Sequence, residues 1–297
     1  MIWIKRLAWL LGAIVALLVI ALIGVYVVTS TRMNKRYDVA ARPVPVPADS
    51  AGIARGRHLA VAIGKCVSCH GADLGGALLS DNFLFGRLTA SNLTTGKGGI
   101  AARYDDAHLA RAIRHALRHD GTPLRVMPSE AFQYLADDDA GALVAYIRSL
   151  PPVDRELPTT RVGPLARILW LLTPFPLIPA RLVDHARVPP VSMPEAPTPA
   201  YGKYLADVGG CTGCHGPGLS GGNVGPGKPA SNLTPAGIGT WSEADFVRAL
   251  REGKRPVGAD IDSLSMPWPE AGKMTDSEIR AVWLFLKSVP PKEFGKR

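Results

Sequence analysis

The sequence predicts a mainly α-helical chain: an N-terminal transmembrane helix followed by two tandem helical domains. Three observations predict it. One long uncharged apolar run lies near the N-terminus. Six short segments recur in the same order in the two halves of the remainder. Within both halves, apolar residues recur with the 3.6-residue period of a helix, whereas the two-residue alternation of a half-buried strand is scarce.

The apolar run is Leu7 to Val28, 22 residues without a charge. At 1.5 Å per residue it reaches ~33 Å, enough to cross a hydrocarbon core of ~30 Å. Lys5 and Arg6 precede it, and Trp3, Trp9 and Tyr26 stand where interfacial aromatics belong. A cleaved signal peptide is the competing reading; the run is long for one, and Val27-Val28-Thr29-Ser30 is a poor cleavage site. Arg32, Lys35 and Arg36 follow the span, so flanking charge alone leaves its orientation open. Residues 1–30 are therefore expected to anchor the chain. Residues 31–47, ending in Arg42-Pro-Val-Pro-Val-Pro47, are expected to form a stiff extended spacer off the membrane.

The repeat sets the domain boundaries. Gly56-Arg-His-Leu-Ala60 recurs as Gly202-Lys-Tyr-Leu-Ala206, and Cys66-Val-Ser-Cys-His-Gly71 as Cys211-Thr-Gly-Cys-His-Gly216. Ala90-Ser-Asn-Leu-Thr94 recurs as Ala230-Ser-Asn-Leu-Thr234, and Leu109 to Arg114 matches Phe246 to Arg251. Met127-Pro128 matches Met266-Pro267, and Ser149 to Pro152 matches Ser288 to Pro291. The offset stays between 137 and 146 residues. Internal repetition at this scale marks homologous units, here 48–155 and 196–297, joined by an apolar, proline-rich connector over 156–195. In each unit a first helix leads into the Cys pair, with Gly56 or Gly202 permitting another helix to approach. A middle helix starts near Asp105 or Ser242, both good N-caps. A last helix starts near Asp137 or Thr275 and stops before the Pro pair.

The four cysteines form two close pairs, Cys66/Cys69 and Cys211/Cys214, which is not the scattered pattern of disulfide staples. Each pair is followed at once by a histidine, His70 and His215. Cys-x-x-Cys-His is the pattern of c-type haem attachment: two thiols one short turn apart reach the two vinyl groups of a porphyrin edge, and the histidine falls beneath the ring. A zinc ribbon would gather both pairs around one ion. A thioredoxin-like redox pair needs a βαβ setting that the sequence lacks.

With these residues in hand, the two repeats resemble class I cytochrome c domains. More closely, they resemble the multi-haem cytochrome subunits that partner membrane-bound dehydrogenases of alcohols, sugars and related substrates. The resemblance rests on Cys66 to Gly71, Ala90 to Thr94, Met127-Pro128 and Ala145 to Pro152, and on Cys211 to Gly216, Ser231 to Pro235, Gly237 to Trp241 and Met266 to Trp268. It covers most of residues 48–297. The resembled subunits often carry three haem motifs; this chain has two. The resemblance implies two covalently attached haem c groups, bound through Cys66, Cys69, Cys211 and Cys214, with His70 and His215 as iron ligands. It implies a methionine on the far side of each iron. Met127 and Met266 hold matched positions in the loop before the last helix, whereas Met274, the competitor in the second copy, matches Leu135. It further implies an electron carrier in the cytoplasmic membrane, with the N-terminus inside, the haem domains in the periplasm and a dehydrogenase or other redox protein as partner. A dihaem peroxidase or a haem-based sensor would need one iron with an exchangeable site.

Other features bear on the rest of the chain. The net charge is +9, but the basic residues are scattered without interleaved aromatics, which speaks against nucleic-acid binding. His115 and His119 are expected on a solvated face of the middle helix. Leu165 to Ala180, interrupted by Pro174, Pro176 and Pro179, is too broken to span a membrane and is expected either to pack on the domains or to meet a membrane or partner surface.

Overall fold

A computed structural model describes residues 1–173, 175–223 and 229–296. Pro174 of the connector, residues 224–228 and the last residue of the second predicted unit lie outside the described residues.

Helix α1, Ile2–Met33, contains the predicted apolar run and is exposed along almost all of its length. Only Thr29 and Met33, at its C-terminal end, are buried. The first repeat continues with α2 (Ser50–His58), capped by the Asp49 carboxylate. A single π-turn over Leu59–Ile63 carries it on toward the Cys pair. The short helix α3 (Val67–His70) bears the Cys-x-x-Cys-His motif, and strands β1 (Ala77–Asn82) and β2 (Gly86–Ala90) form an antiparallel hairpin. Then come α4 (Asp106–His115), α5 (Ser129–Phe132) and α6 (Asp137–Ser149). In the connector, β3 (Arg161–Val162) pairs with β2, and α7 (Pro164–Leu172) follows with a proline in its first turn. The second repeat is α8 (Pro199–Val208), α9 (Cys211–His215), α10 (Pro235–Ile238), α11 (Glu243–Glu252), α12 (Trp268–Ala271) and α13 (Asp276–Ser288).

Each repeat is built on one close helix pair, α2 on α6 and α8 on α13. The pairing glycines fix the contact. A Cβ on Gly56 would lie 1.9 Å from the Ala142 carbonyl oxygen, and one on Gly202 would lie 1.9 Å from that of Ala281. The predicted starts of the middle and last helices also hold: Asp105, Ser242 and Thr275 cap α4, α11 and α13 through their side chains. Residues of both repeats, among them Leu59, Ile63, Phe132, Leu143, Tyr201, Leu205, Ile279 and Leu286, belong to one continuous apolar cluster.

Two expectations are corrected. Residues 34–47 do not stand off as a free spacer. They lie on the first repeat, with Tyr37 N–H donating to Gly121 O (3.0 Å) and Arg111 to Val39 O (2.9 Å). The absence of a side chain at Gly141 lets the Pro45 carbonyl settle against α6. His115 is not on a solvated face: residues near 38–42 and 184–189 fold over α4, and His115 Nδ1 lies 3.0 Å from His185 Nδ1. His119 is exposed, as expected, and stands edge-on to the Tyr104 ring, 5.5 Å between centroids.

The connector packs rather than swings. Trp170, Leu177, Ile178 and Ala180 cluster with Met33 at the end of α1 and with Ala116 and Leu117 of the first repeat. Arg167 of α7 donates to Thr29 Oγ1 (2.6 Å) and Ser30 Oγ (3.0 Å) and lies 4.3 Å from the Tyr26 ring centroid. Leu169, Leu172, Phe175 and Leu182 stay exposed.

Candidate functional sites, one per repeat

The two Cys-x-x-Cys-His segments are held in the same way. His70 Nδ1 donates to the Ser91 carbonyl at 2.8 Å, and His215 Nδ1 donates to the Ser231 carbonyl at 2.7 Å. A carbonyl only accepts, so the proton sits on Nδ1 and the Nε2 lone pair is left available, the arrangement that orients a metal-binding imidazole. Burial pushes both histidine pKa values down, against the pull of those hydrogen bonds, and keeps the rings neutral.

The loop supplying each carbonyl is the repeated Ser-Asn-Leu-Thr. Asn92 Nδ2 donates to Val153 O and Asn232 Nδ2 to Lys292 O, both at 2.7 Å, tying the loop to the chain beyond the last helix. The Asn side-chain oxygen accepts from the Thr94 or Thr234 hydroxyl at 2.8 Å in both copies. Gly76 N–H closes on His70 O (2.8 Å) and Gly221 N–H on His215 O (2.9 Å). Gly76 and Gly221 both have positive φ, near +80°, at the turn where the chain leaves the histidine.

None of the four cysteines forms a disulfide, which leaves both pairs available for thioether bonds. Burial pushes Cys66 up to about 11 and raises Cys69 and Cys211 as well. A redox-active pair needs the opposite, a depressed thiol pKa. Among the described residues no three His, Cys, Asp or Glu converge as a metal site, so the zinc reading finds no cage.

Met127 and Met266 are half-buried and pack against the same apolar cluster as Cys66 and Cys211. Both are fixed by an inverse γ-turn at the following proline. Ser129 N–H donates to Met127 O at 2.8 Å across Pro128 (φ −78°, ψ 52°), and Trp268 N–H donates to Met266 O at 2.7 Å across Pro267 (φ −76°, ψ 58°). Val126, just before Met127, has φ +60°, a strained conformation for a β-branched residue.

The sites meet at the repeat interface. Helix α5, which follows Met127, packs on α8, while α12, which follows Met266, packs on the π-turn before Cys66. Lys65, adjacent to Cys66, donates from Nζ to Ile63 O and to Gly209 O, each at 2.8 Å. Gly209 lies two residues before Cys211, so one buried ammonium ties the two Cys-bearing segments together. Burial pushes the Lys65 pKa down.

Reciprocal polar contacts also join the two repeats. Tyr204 of the second repeat donates to Asp139 of the first (2.6 Å), and His58 of the first, at the position matching Tyr204, meets Glu278 of the second (2.7 Å), at the position matching Asp139. Arg55 forks onto both oxygens of Asp139 (2.9 and 3.0 Å) and reaches Glu278 at 3.2 Å. Burial works to raise the Glu278 pKa, but His58, the Thr275 amide and Arg55 outweigh it and hold the carboxyl below its usual range.

Sequence reading missed Lys65 and the roles of Ser91, Asn92, Ser231 and Asn232. The in-register recurrence of Ser-Asn-Leu-Thr was the signal for the loop; Lys65 has no counterpart, because the matching residue is Gly210.

Two helical repeats, each presenting free paired thiols and a neutral imidazole with its Nε2 lone pair available, have the chemistry of c-type cytochrome domains. The chain belongs to the cytochrome c family: the family model described as Cytochrome c matches residues 53–151 and again 199–290. It carries two covalently bound haem c groups. Among curated proteins it is similar to the fructose dehydrogenase cytochrome subunit of Gluconobacter japonicus, at 28% identity over 84% of this chain and 55% of that one. It is also similar to the cytochrome c subunit of the quinone alcohol dehydrogenase of Gluconacetobacter polyoxogenes, at 28% identity over 82% of this chain and 57% of the relative. A diheme cytochrome c-type protein of Cereibacter sphaeroides is 26% identical over 77% of this chain and 83% of its own length. The chain thus spans little more than half the length of the two dehydrogenase subunits.

Proposed function

We propose that the protein is a membrane-anchored dihaem electron relay that takes electrons from a dehydrogenase, or another donor, and passes them to the respiratory chain. The observation that carries this reading is the Lys65 bridge, which brings the two Cys-bearing segments against each other. Haem supplies the one-electron iron couple. Cys66 with Cys69, and Cys211 with Cys214, are assigned to the thioether bonds. His70 and His215 would hold the iron through Nε2, oriented by the Ser91 and Ser231 carbonyls. Met127 and Met266 would supply each iron's second protein ligand, and thioether ligation raises the reduction potential. With an imidazole and a thioether both supplied by the chain, each iron would have no place left for oxygen or peroxide. Joining the two repeats in one chain turns a bimolecular hop into an intramolecular one.

The dehydrogenase partner is supported by the cytochrome subunits that this chain resembles. Helix α1, of membrane-crossing length, supports an anchor in the cytoplasmic membrane. Haem attachment on the outer face of that membrane, the pattern in the resembled cytochromes, supports an N-terminus inside and both repeats in the periplasm. The optical spectrum of the purified protein tests the relay. Two low-spin haems and no rapid carbon monoxide binding in the reduced state are expected, with a high-spin site opening in Met127→Ala or Met266→Ala. A native high-spin haem whose spectrum neither substitution alters would favour a peroxidase or a sensor instead.

A further inference from the structure

In the second repeat the outer face of α11 is open, and Arg248 there pairs with Asp245 at 3.0 Å. The matching face of α4 in the first repeat is covered by residues near 38–42 and 184–189. Between cover and helix lies a cavity of about 420 Å³. Cys66, His70 and Met127 do not line it.

The cavity is electropositive by construction. Arg42, Arg111, Arg114 and Arg187 line it, against the carboxylates of Asp38 and Asp184. Arg114 is already paired with Asp137 at 2.7 Å, as its counterpart Arg251 is with Asp276. Arg111, the counterpart of Arg248, is only 9% exposed. Its guanidinium meets neutral carbonyls alone: Val39 (2.9 Å), Arg118 (2.8 Å) and His119 (3.0 Å). The Nε atoms of Arg111 and Arg114 are buried without a hydrogen-bond partner. Arg42 takes part in no ion pair with any described residue. Burying guanidinium charge against carbonyls, with a donor left over, is costly unless an anion completes the site.

The histidines add an acceptor. Ala180 O accepts from His185 Nε2 at 2.9 Å, so in the neutral pair His185 Nδ1 accepts from His115 Nδ1. His115 Nε2 is then left as an acceptor. Burial first, then His185, Arg114, Arg111 and Arg42, pushes the His115 pKa down to about 4. The Tyr37 ring stands 5.3 Å from that of His185 and packs in the cluster that holds Met33, so the cavity lies beside the end of α1.

We propose that this cavity binds a phosphate-class anion that also carries a hydroxyl. Arg42 takes its oxygens in the forked geometry guanidinium favours, Arg111 adds its buried charge and its unpartnered Nε–H, and His115 accepts its hydroxyl. The same chemistry is offered by free hydrogen phosphate and by the headgroup of a phosphatidylglycerol-type lipid in the adjoining membrane.

The test uses the full-length haem-loaded protein in detergent. Inorganic phosphate is titrated calorimetrically at constant ionic strength, and phosphatidylglycerol or phosphatidylcholine is then added as competitor. One phosphate per chain is expected, with affinity lowered at least about tenfold by Arg42→Gln and by Arg111→Gln. Arg248→Gln, on the matching face of the second repeat, should leave it unchanged. Displacement by phosphatidylglycerol and not by phosphatidylcholine identifies the headgroup as the source; phosphate binding undisturbed by either lipid identifies the free anion. Arg42→Gln and Arg111→Gln proteins that keep both haem spectra yet bind phosphate as the parent does would overturn the site. So would a parent protein that binds neither phosphate nor phosphatidylglycerol.

Discussion

Between Gly56 and Cys66 the first repeat has one residue more than the second has between Gly202 and Cys211. The first repeat absorbs it as the π-turn over Leu59–Ile63, where Gly64 N–H reaches back five residues to Leu59 O (2.7 Å). The second runs α8 straight through to Val208. Beyond that turn the first repeat places Lys65 at φ +53°, and the second places Gly210 at φ +73°. The same left-handed turn thus carries a cation on one side of the interface and no side chain on the other. The comparison teaches that the histidine clamps are repeated almost atom for atom, while the function-bearing difference lies at the seam between the copies.

The largest expected effect comes from removing one attachment site. Cys66→Ala with Cys69→Ala should leave a protein whose mass carries one porphyrin, bound in the second repeat, and Cys211→Ala with Cys214→Ala should give the mirror result. Loss of both haems from either variant would mean that the two repeats do not load independently.

Next come the pairing glycines. Gly56→Ala and Gly202→Ala force a methyl onto a backbone carbonyl, and overpacking of this kind costs about 1–3 kcal/mol. Chemical denaturation should show similar losses for the two, since the geometry is the same in both. A cost confined to one of them would break the equivalence of the copies.

Asn92→Ala and Asn232→Ala release the loop that holds each histidine, a loss of about 1–3 kcal/mol as the half-buried carbonyl and the threonine N–H and hydroxyl lose the Asn side chain. Thermal denaturation and the spectrum of the affected haem would register it, one repeat at a time.

The smallest effect concerns pH. Glu278 has its pKa lowered in the folded protein, so its stabilising contribution is complete above the unfolded carboxyl value of about 4.3. It is lost as pH falls through the folded value. Acid unfolding of the parent should therefore be steeper than that of Glu278→Gln, and parallel curves would remove Glu278 from the interface account.

Much of this was legible in the sequence because the signals were local. Asp105, Ser242 and Thr275 announce their helices by N-terminal capping, Gly56 and Gly202 announce a close crossing, and the proline pairs announce the ends of α6 and α13. The positions of Met127 and Met266 stood out because two copies agreed. What stayed hidden depends on contacts across long chain separations. Residues 34–47 read as a stiff linker, and nothing near them in sequence reveals that Gly121 and Gly141 receive them. His115 meets His185 only because the connector returns over α4. Strand β1 is largely exposed and β2 is half-buried through its middle, so neither carries an alternation to detect.

The account turns on electrons crossing between the copies at Lys65. Rapid photoreduction of one haem, followed optically as the second equilibrates, measures that step directly. Lys65→Met should slow it at least about tenfold, the equivalent of ~1.4 kcal/mol in the barrier, with both haem spectra and midpoint potentials retained. An unchanged rate in such a protein would contradict it.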